Sequence, residues 1–150
     1  MSFEIKIDGL EKLKEGLAKA PQVVANEMSA AIKDSVGIIR PMMRRQAPVA
    51  SGKLSRNIYA RSSGLTGEVG PDLAETPYAI FVHEGTKAHE IRPVTKKALY
   101  WKGALHPVRL VHHPGTKANP FVERTAQEAE PVVNRIFGVK IENIVRQIAG

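Results

Sequence analysis

The chain has 150 residues, of which 43% are hydrophobic and 25% charged, and its formal net charge is +7 at pH 7. It contains no cysteine, which excludes disulfides and thiolate chemistry. No apolar run reaches the roughly 18 residues of a membrane span, and charges interrupt the first ten positions. We therefore expect one soluble, cytoplasmic domain over residues 1–150, in which residues 139–150 form a C-terminal extension.

Basic residues are concentrated in two stretches. No acidic residue lies between Asp34 and Glu68, or between Glu90 and Glu123. Most such runs are solvated faces, and the alternative is a nearby polyanion, either nucleic acid or an acidic protein surface. The residues that we select as candidates to face a polyanion follow the first predicted long helix: Arg44, Arg45, Lys53 and Arg56.

The first third of the chain predicts a strand and two helices. "FEIKI" alternates over residues 3–7, as a half-buried strand does, and a short helix follows and ends at Pro21. Apolar residues at intervals of three and four then predict a long helix from about 22 to 46. Pro41 lies inside that helix and predicts a kink or break near Ile39 and Arg40.

The middle of the chain is rich in turn signals. "SRNIYARSS" and "LTGEVGP" predict a strand pair that turns at Ser63-Gly64. "TPYAIFVHEGT" fits either a strand or a helical turn, and "KALYW" with "PVRLV" predicts a further hairpin. We expect Trp101, in the second of these hairpins, to pack in the core.

A C-terminal helix is predicted from Pro120 to about residue 147, with Asn119 as its N-cap. Pro131 and Gly138 are expected interruptions in it. Together, the elements predict an α+β fold: an antiparallel sheet of about four to six strands, packed by one long helix and the C-terminal helix.

The segment "YAIFVHEGTKAHEI", residues 78–91, raises the question of a catalytic or metal site. His83-Glu84 begins like a His-Glu-x-x-His zinc motif, but Lys87 stands where the second histidine is needed. Neither a nucleophile elbow nor a phosphate-binding glycine loop occurs. We predict a non-enzyme with no catalytic residue, metal or cofactor. One alternative is a metal-dependent nuclease or hydrolase that uses the histidines His83, His89, His112 and His113; another is a stand-alone DNA-binding module.

A short echo links this segment to a later one. "HEGTKAH" begins at His83 and "HPGTKAN" at His112, so Gly-Thr-Lys-Ala occurs twice. Two copies do not make a repeat protein. The echo predicts two similar turns that leave neighbouring strands.

The order of these features resembles the gene-ten-like family of tailed-bacteriophage neck and tail-completion proteins, the head–tail connectors. The matching stretches are "IDGLEKLKEGL", "APVASGKLSRNI", "YAIFVHEGT" and "HPGTKANPFVERTAQE". The resemblance covers most of residues 5 to 135. One departure is the family's glutamate, which usually stands two positions before the glycine, where this chain has His83.

The resemblance implies a structural virion protein of a phage or prophage that acts at the head–tail junction in an oligomeric ring, with a hexamer as the working size. Its implied partners are further copies of itself and the neighbouring neck and tail proteins, with DNA passing through the lumen and no membrane. It would lie in the host cytoplasm during assembly and then in the virion neck or tail. Turns fixed by proline and glycine lose little entropy on docking. We therefore select the following candidates for subunit docking: Tyr78, Glu84, Gly85, Thr86 and Thr116.

Overall fold

A computed structural model describes residues 10–149 of the chain. The strand predicted over residues 3–7 lies outside the described residues. The helices and strands, in chain order, are α1 (Leu10–Gln46), α2 (Lys53–Arg56), β1 (Ile58–Ser63), β2 (Thr66–Pro71), α3 (Ala79–Glu84), β3 (His89–Ile91), β4 (Val111–His113) and α4 (Phe121–Ala149).

Helix α1 is a single α-helix of 37 residues that contains both Pro21 and Pro41. The predicted helix end at Pro21 is therefore wrong, and of the kink or break predicted near Pro41 the break is excluded. An interior proline removes one backbone hydrogen bond and costs about 3 kcal/mol. Tertiary packing of an apolar face supplies most helix stability in proteins, and α1 packs along α4, so the helix continues through both prolines.

Helices α1 and α4 form the body of the molecule. Their backbones come close at Gly16, where an added Cβ would collide with the backbone carbonyl of Ile148. Lys140 of α4 lies between two carboxylates of α1, with its Nζ 3.5 Å from Asp34 and 3.9 Å from Glu27. Helix α4 also runs unbroken through Pro131 and Gly138, so the interruptions predicted there are wrong as well.

The strands form two separate two-stranded antiparallel sheets, β1 with β2 and β3 with β4. In the first sheet, Ile58 pairs with Pro71 and Ser63 with Thr66, as the hairpin prediction requires. The α+β class is confirmed, but the single sheet of four to six strands is wrong. The undecided segment before Gly85 forms helix α3, and the hairpin predicted for "KALYW" and "PVRLV" is reduced to an isolated bridge between Leu99 and Val108.

The core lies where the end of α1, the first sheet, α3 and the start of α4 meet. Its largest fully buried apolar side chains are Phe121 and Ile58. They pack in one cluster with Met43, Leu54 and Ala79. This cluster fixes the position of α3 and so of the segment that follows it.

Helix α4 begins one residue later than predicted, at Phe121. The Asn119 side chain does not cap it; Asn119 Oδ1 accepts a hydrogen bond from the Arg124 guanidinium at 2.5 Å. The Asn119 backbone N–H instead donates to the carbonyls at the end of α3, at 3.1 Å to Val82 and 3.2 Å to His83. These hydrogen bonds join Asn119, just before α4, to the end of α3 and to α4 itself, so both ends of the segment between the two helices are fixed.

Candidate functional site

Residues 87–115 form a projection, called the arm below, between α3 and α4. The arm is closed at its base by Thr86 and Thr116, whose backbone N–H groups donate to each other's carbonyls at 2.9 and 3.0 Å. Strands β3 and β4 pair above the base, His89 with His113 and Ile91 with Val111. The echoed Gly-Thr pairs therefore face each other across one hairpin-like stem.

Two glycines allow this close pairing. Gly85 and Gly115 have φ angles of 77° and 90°, which L side chains rarely adopt. An added Cβ on Gly85 would lie 2.5 Å from the Thr116 carbonyl oxygen, and one on Gly115 would meet the Thr86 carbonyl oxygen. The docking candidates Gly85, Thr86 and Thr116 are thus the residues that shape the base of the arm.

The arm has no core of its own, since none of its residues 87–115, all of them described, is buried. Its most exposed large apolar side chains are Leu105 and Val94, at 98% and 97%, followed by Tyr100 and Trp101 at 68% and 50%. The expectation that Trp101 packs in the core is therefore wrong. The physical reason is that the strands on either side of it pair only with each other and do not pack on α1 or α4 to any comparable extent.

The arm is strongly basic. It contains six lysines and arginines against one acidic residue, Glu90, so it carries a net charge of +5 out of the +7 of the whole chain. Glu90 is engaged locally, with its carboxylate 2.9 Å from Arg92 and 3.6 Å from His112. The arm thus presents exposed apolar side chains within a positive surface.

Helix α3 separates two clefts. On one side Tyr78 lines an open cleft of about 220 Å³ together with Lys53 and the loop of residues 48–52. On the other side Ile80 and Glu84 line a cleft of about 280 Å³, which Leu73 and Phe121 help to form and which is called the α3 cleft below. The docking candidates Tyr78 and Glu84 consequently lie on different sides of α3.

An aromatic residue of the first sheet forms one wall of the α3 cleft. The Tyr59 hydroxyl donates a 2.7 Å hydrogen bond to the Glu68 carboxylate, and the Arg61 guanidinium lies 4.5 Å from the centre of its ring. The hydrogen bond to Glu68 is the main cause that raises the pKa of Tyr59, and partial burial adds to it. The hydrogen bond to Glu68 therefore fixes the orientation of the phenol.

The four polyanion-facing candidates lie at the end of α1 and in α2, and each also has contacts within the chain. Arg44 is half-buried and donates to the Arg56 backbone carbonyl at 3.2 Å, so its role includes holding α2 against the end of α1. Lys53 lies 3.9 Å from Glu75, and Arg45 forms an ion pair of 3.2 Å with Glu128 of α4. Arg45, Lys53 and Arg56 are exposed, so these three charges are accessible to a polyanion.

The histidines of the hydrolase alternative are only partly brought together. His89 and His113 stack with ring centroids 5.0 Å apart, whereas His83 lies on the body, 3.0 Å from the Glu123 carboxylate and edge-on to Phe121. His112 approaches Glu90 and lies on the other side of its strand from His113. Across residues 10–149, no three His, Asp or Glu side chains are grouped as ligands for one metal ion.

Several surface residues escaped the sequence analysis. Leu73 and Ile80, which are 46% and 44% exposed at the α3 cleft, match ordinary core positions in a strand or helix pattern. Leu105 likewise has no feature in the sequence that marks it as an exposed apolar residue. The Gly-Thr echo was the available clue, because it marks both ends of the arm.

Two long helices, a hairpin packed on one of them and a projecting basic arm define an α+β protein whose most distinctive surfaces are suited to contacts with macromolecules. The family model described as "Bacteriophage HK97-gp10, putative tail-component" matches residues 11–85. The chain therefore belongs to the HK97-gp10-like family of bacteriophage tail components. No curated protein and no solved structure gave a significant match.

The family match has a structural boundary. It runs from the start of α1 to Gly85, at the base of the arm, and is shorter than the resemblance over residues 5 to 135. The arm and α4 lie beyond it. Among the described helices, none is long and apolar enough to cross a membrane.

Proposed function

We propose that the chain is a structural component of the head–tail junction of a tailed phage or prophage, where copies of it form a closed ring that completes the neck or tail. The observation that carries the proposal is the match of residues 11–85 to a family of phage tail components. The ring would contact neighbouring neck and tail proteins, and DNA would pass through its lumen. Assembly would take place in the host cytoplasm.

The surface of the chain supports this role. A ring requires two different and complementary surfaces on each copy, because each copy meets its two neighbours through different faces. The arm and the α3 cleft are two such surfaces, and the tight base at Gly85 and Gly115 holds one beside the other. The candidates for docking are Gly85, Thr86 and Thr116 at this base, together with Tyr78 and Glu84 in the clefts on the two sides of α3.

The charge of the chain supports a polyanionic neighbour. About six copies with a net charge of +7 each would place roughly forty positive charges on one small assembly, which favours passing DNA or an acidic protein surface. Arg45, Lys53 and Arg56 are the exposed residues that we assign to this contact, with the half-buried Arg44 beside them.

The proposal is tested by deleting the gene from the phage or prophage genome that encodes it and supplying the chain from a plasmid. We expect the deletion to yield filled heads and separate tails by electron microscopy, and the plasmid to restore joined particles that contain the chain. Joined, infectious particles without the gene would contradict a role at the junction. A metal-dependent nuclease would instead be revealed by degradation of DNA by the purified chain on addition of Mg²⁺ or Mn²⁺.

A further inference from the structure

Within residues 10–149, which the structure describes, no helix of the body packs extensively on the arm. Its 29 residues are comparable in number to the 20–30 residues that each side contributes to a standard protein interface. Trp101 and Leu105, near its tip, expose large apolar side chains to solvent at 50% and 98%. Buried aromatic anchors of this type carry much of the binding energy at protein interfaces.

The α3 cleft is a suitable receptor for such an anchor. It has a volume of about 280 Å³ and is lined mainly by apolar side chains, among them Leu73, Ile80 and Val122. A cavity of about 150 Å³ accepts a benzene ring, so the volume of this cleft is large enough for an apolar side chain of that size. Glu84 stands in the lining and gives the cleft a negative charge close to its apolar floor.

The charges of the two surfaces are opposite. The arm has a net charge of +5, whereas the segment of residues 62–86, which supplies much of the cleft and its surroundings, contains four acidic residues and no lysine or arginine. Glu123 adds a further carboxylate next to His83. One positive charge also lies near the cleft, because the Arg61 guanidinium lies over the ring of Tyr59.

The arm does not occupy the cleft of its own copy. Leu105 is almost fully exposed and the α3 cleft is open, although only Gly85 and Thr86 separate the end of α3 from the arm. When two complementary surfaces on one chain are not satisfied by each other, contact between copies joins them head to tail, and a rotation that closes produces a ring.

We propose that the arm of one copy inserts Trp101 and Leu105 into the α3 cleft of the next copy, with the basic side chains of the arm around Glu84. This contact rests on the proposed function, because it explains how the ring is built. The occupant of the α3 cleft is a second copy of the chain. Each copy then contributes its arm to one neighbour and its cleft to the other.

The lack of native cysteine permits a direct test by cross-linking. Two single-cysteine proteins, Leu105→Cys on the arm and Ile80→Cys in the cleft, are mixed and treated with a short bis-maleimide. We expect covalent dimers in the mixture and few in either protein alone. A matched control pairs Leu105→Cys with Leu17→Cys, which replaces an exposed leucine of α1 that does not line the α3 cleft.

The cross-linking is performed on the purified full chain over a range of concentrations and in lysates that contain assembling particles. Dimers from Leu105→Cys alone would show an arm-to-arm contact and overturn the proposal. Equal yields with the Leu17→Cys control, or no dimers in either preparation, would also overturn it.

A charge exchange provides a second, independent test. Lys102→Glu on the arm and Glu84→Lys in the cleft should each weaken self-association at least tenfold in sedimentation equilibrium at low salt. Mixing the two variants should restore association, because the reversed arm then meets the reversed cleft. If mixing restores nothing while both variants keep the wild-type melting temperature, the two charges do not face each other.

Nucleic acid is the competing occupant of a basic arm with exposed aromatic residues. Trp101 is the single tryptophan, so its fluorescence reports directly on the arm. We expect a blue shift as the protein concentration rises and no further shift on addition of a DNA duplex. A shift that requires DNA and is independent of protein concentration would assign the arm to DNA and overturn the docking proposal.

The two proposals fail in different ways. If the chain is found in joined particles but no arm-to-cleft cross-link forms there, the docking arrangement is wrong and the role at the junction stands. If the cross-link forms in the purified chain but the gene is dispensable for particle assembly, the docking arrangement stands and the proposed function is wrong.

Discussion

Phe121 links the helical body to the candidate site, because its fully buried ring belongs to the core and also contacts the edge of the His83 ring. We expect Phe121→Ala to lower the free energy of unfolding by about 3–5 kcal/mol, as large-to-small core substitutions do. Urea denaturation followed by circular dichroism measures it. The control Leu65→Ala, at a residue that is 63% exposed in the β1–β2 turn, should change stability by no more than about 0.5 kcal/mol. Similar losses in the two variants would mean that the core is not centred on Phe121.

Metal binding by His83 and His89 can be tested with thermal melts. His83 bonds to Glu123 and contacts the core, whereas His89 is exposed on the arm. We expect Zn²⁺ or Mn²⁺ to leave the melting temperature of the chain unchanged, since a bound metal would raise it by mass action. A rise in the wild type that is lost in His83→Ala with His89→Ala would instead support the hydrolase alternative. Matched melts with and without a chelator measure this.

The close approach of α1 and α4 is the main contact between elements, and Gly16 is where it is tightest. We expect Gly16→Ala to destabilise the chain by about 1–3 kcal/mol, because the new methyl group would push against the Ile148 backbone. Gly138→Ala is the matched control. It places the same methyl group where nothing lies within 4 Å, and it should stabilise α4 by about 0.5–1 kcal/mol. Equal effects in thermal melts would show that the two helices do not meet at Gly16.

The arm is an element that can be removed. Since none of its residues is buried, replacing residues 88–114 with an Asn-Gly turn should shift the melting temperature by only a few degrees. The same replacement should abolish self-association in sedimentation experiments. A large loss of helical circular dichroism would contradict the view that the arm is independent of the body.

At the scale of the whole molecule, the net charge of +7 is the basis of the proposed contact with an anionic neighbour. Arg45→Glu with Lys53→Glu should spare the fold, because exposed ion pairs such as those with Glu128 and Glu75 contribute about 0–1 kcal/mol. Arg44 is left in place because its guanidinium holds the Arg56 carbonyl. We expect fewer joined particles from this variant in the complementation assay. Wild-type yields of infectious particles would assign these charges to solvation alone.

Local sequence signals were sufficient to predict the α+β class, the family, the first hairpin and the two long helical segments. These depend on local signals: apolar spacing in α1 and α4, alternation around Ile58, and Gly64 at the turn, where φ is 54°. The family resemblance could also be predicted without the structure, because it depends on the order of motifs such as Gly85-Thr86 and Pro120-Phe121.

Only the tertiary structure decided the continuity of the helices, the division of the strands and the exposure of the arm. Pro21 and Pro41 signal breaks locally, but packing of α1 on α4 outweighs the loss of single hydrogen bonds. Trp101 is the kind of residue found in cores, yet its burial depends on whether another layer covers it, and residues 10–149 leave it 50% exposed. The Gly-Thr echo predicted two similar turns that leave neighbouring strands, but the direct pairing of Thr86 with Thr116, thirty positions apart, appears only in the tertiary structure.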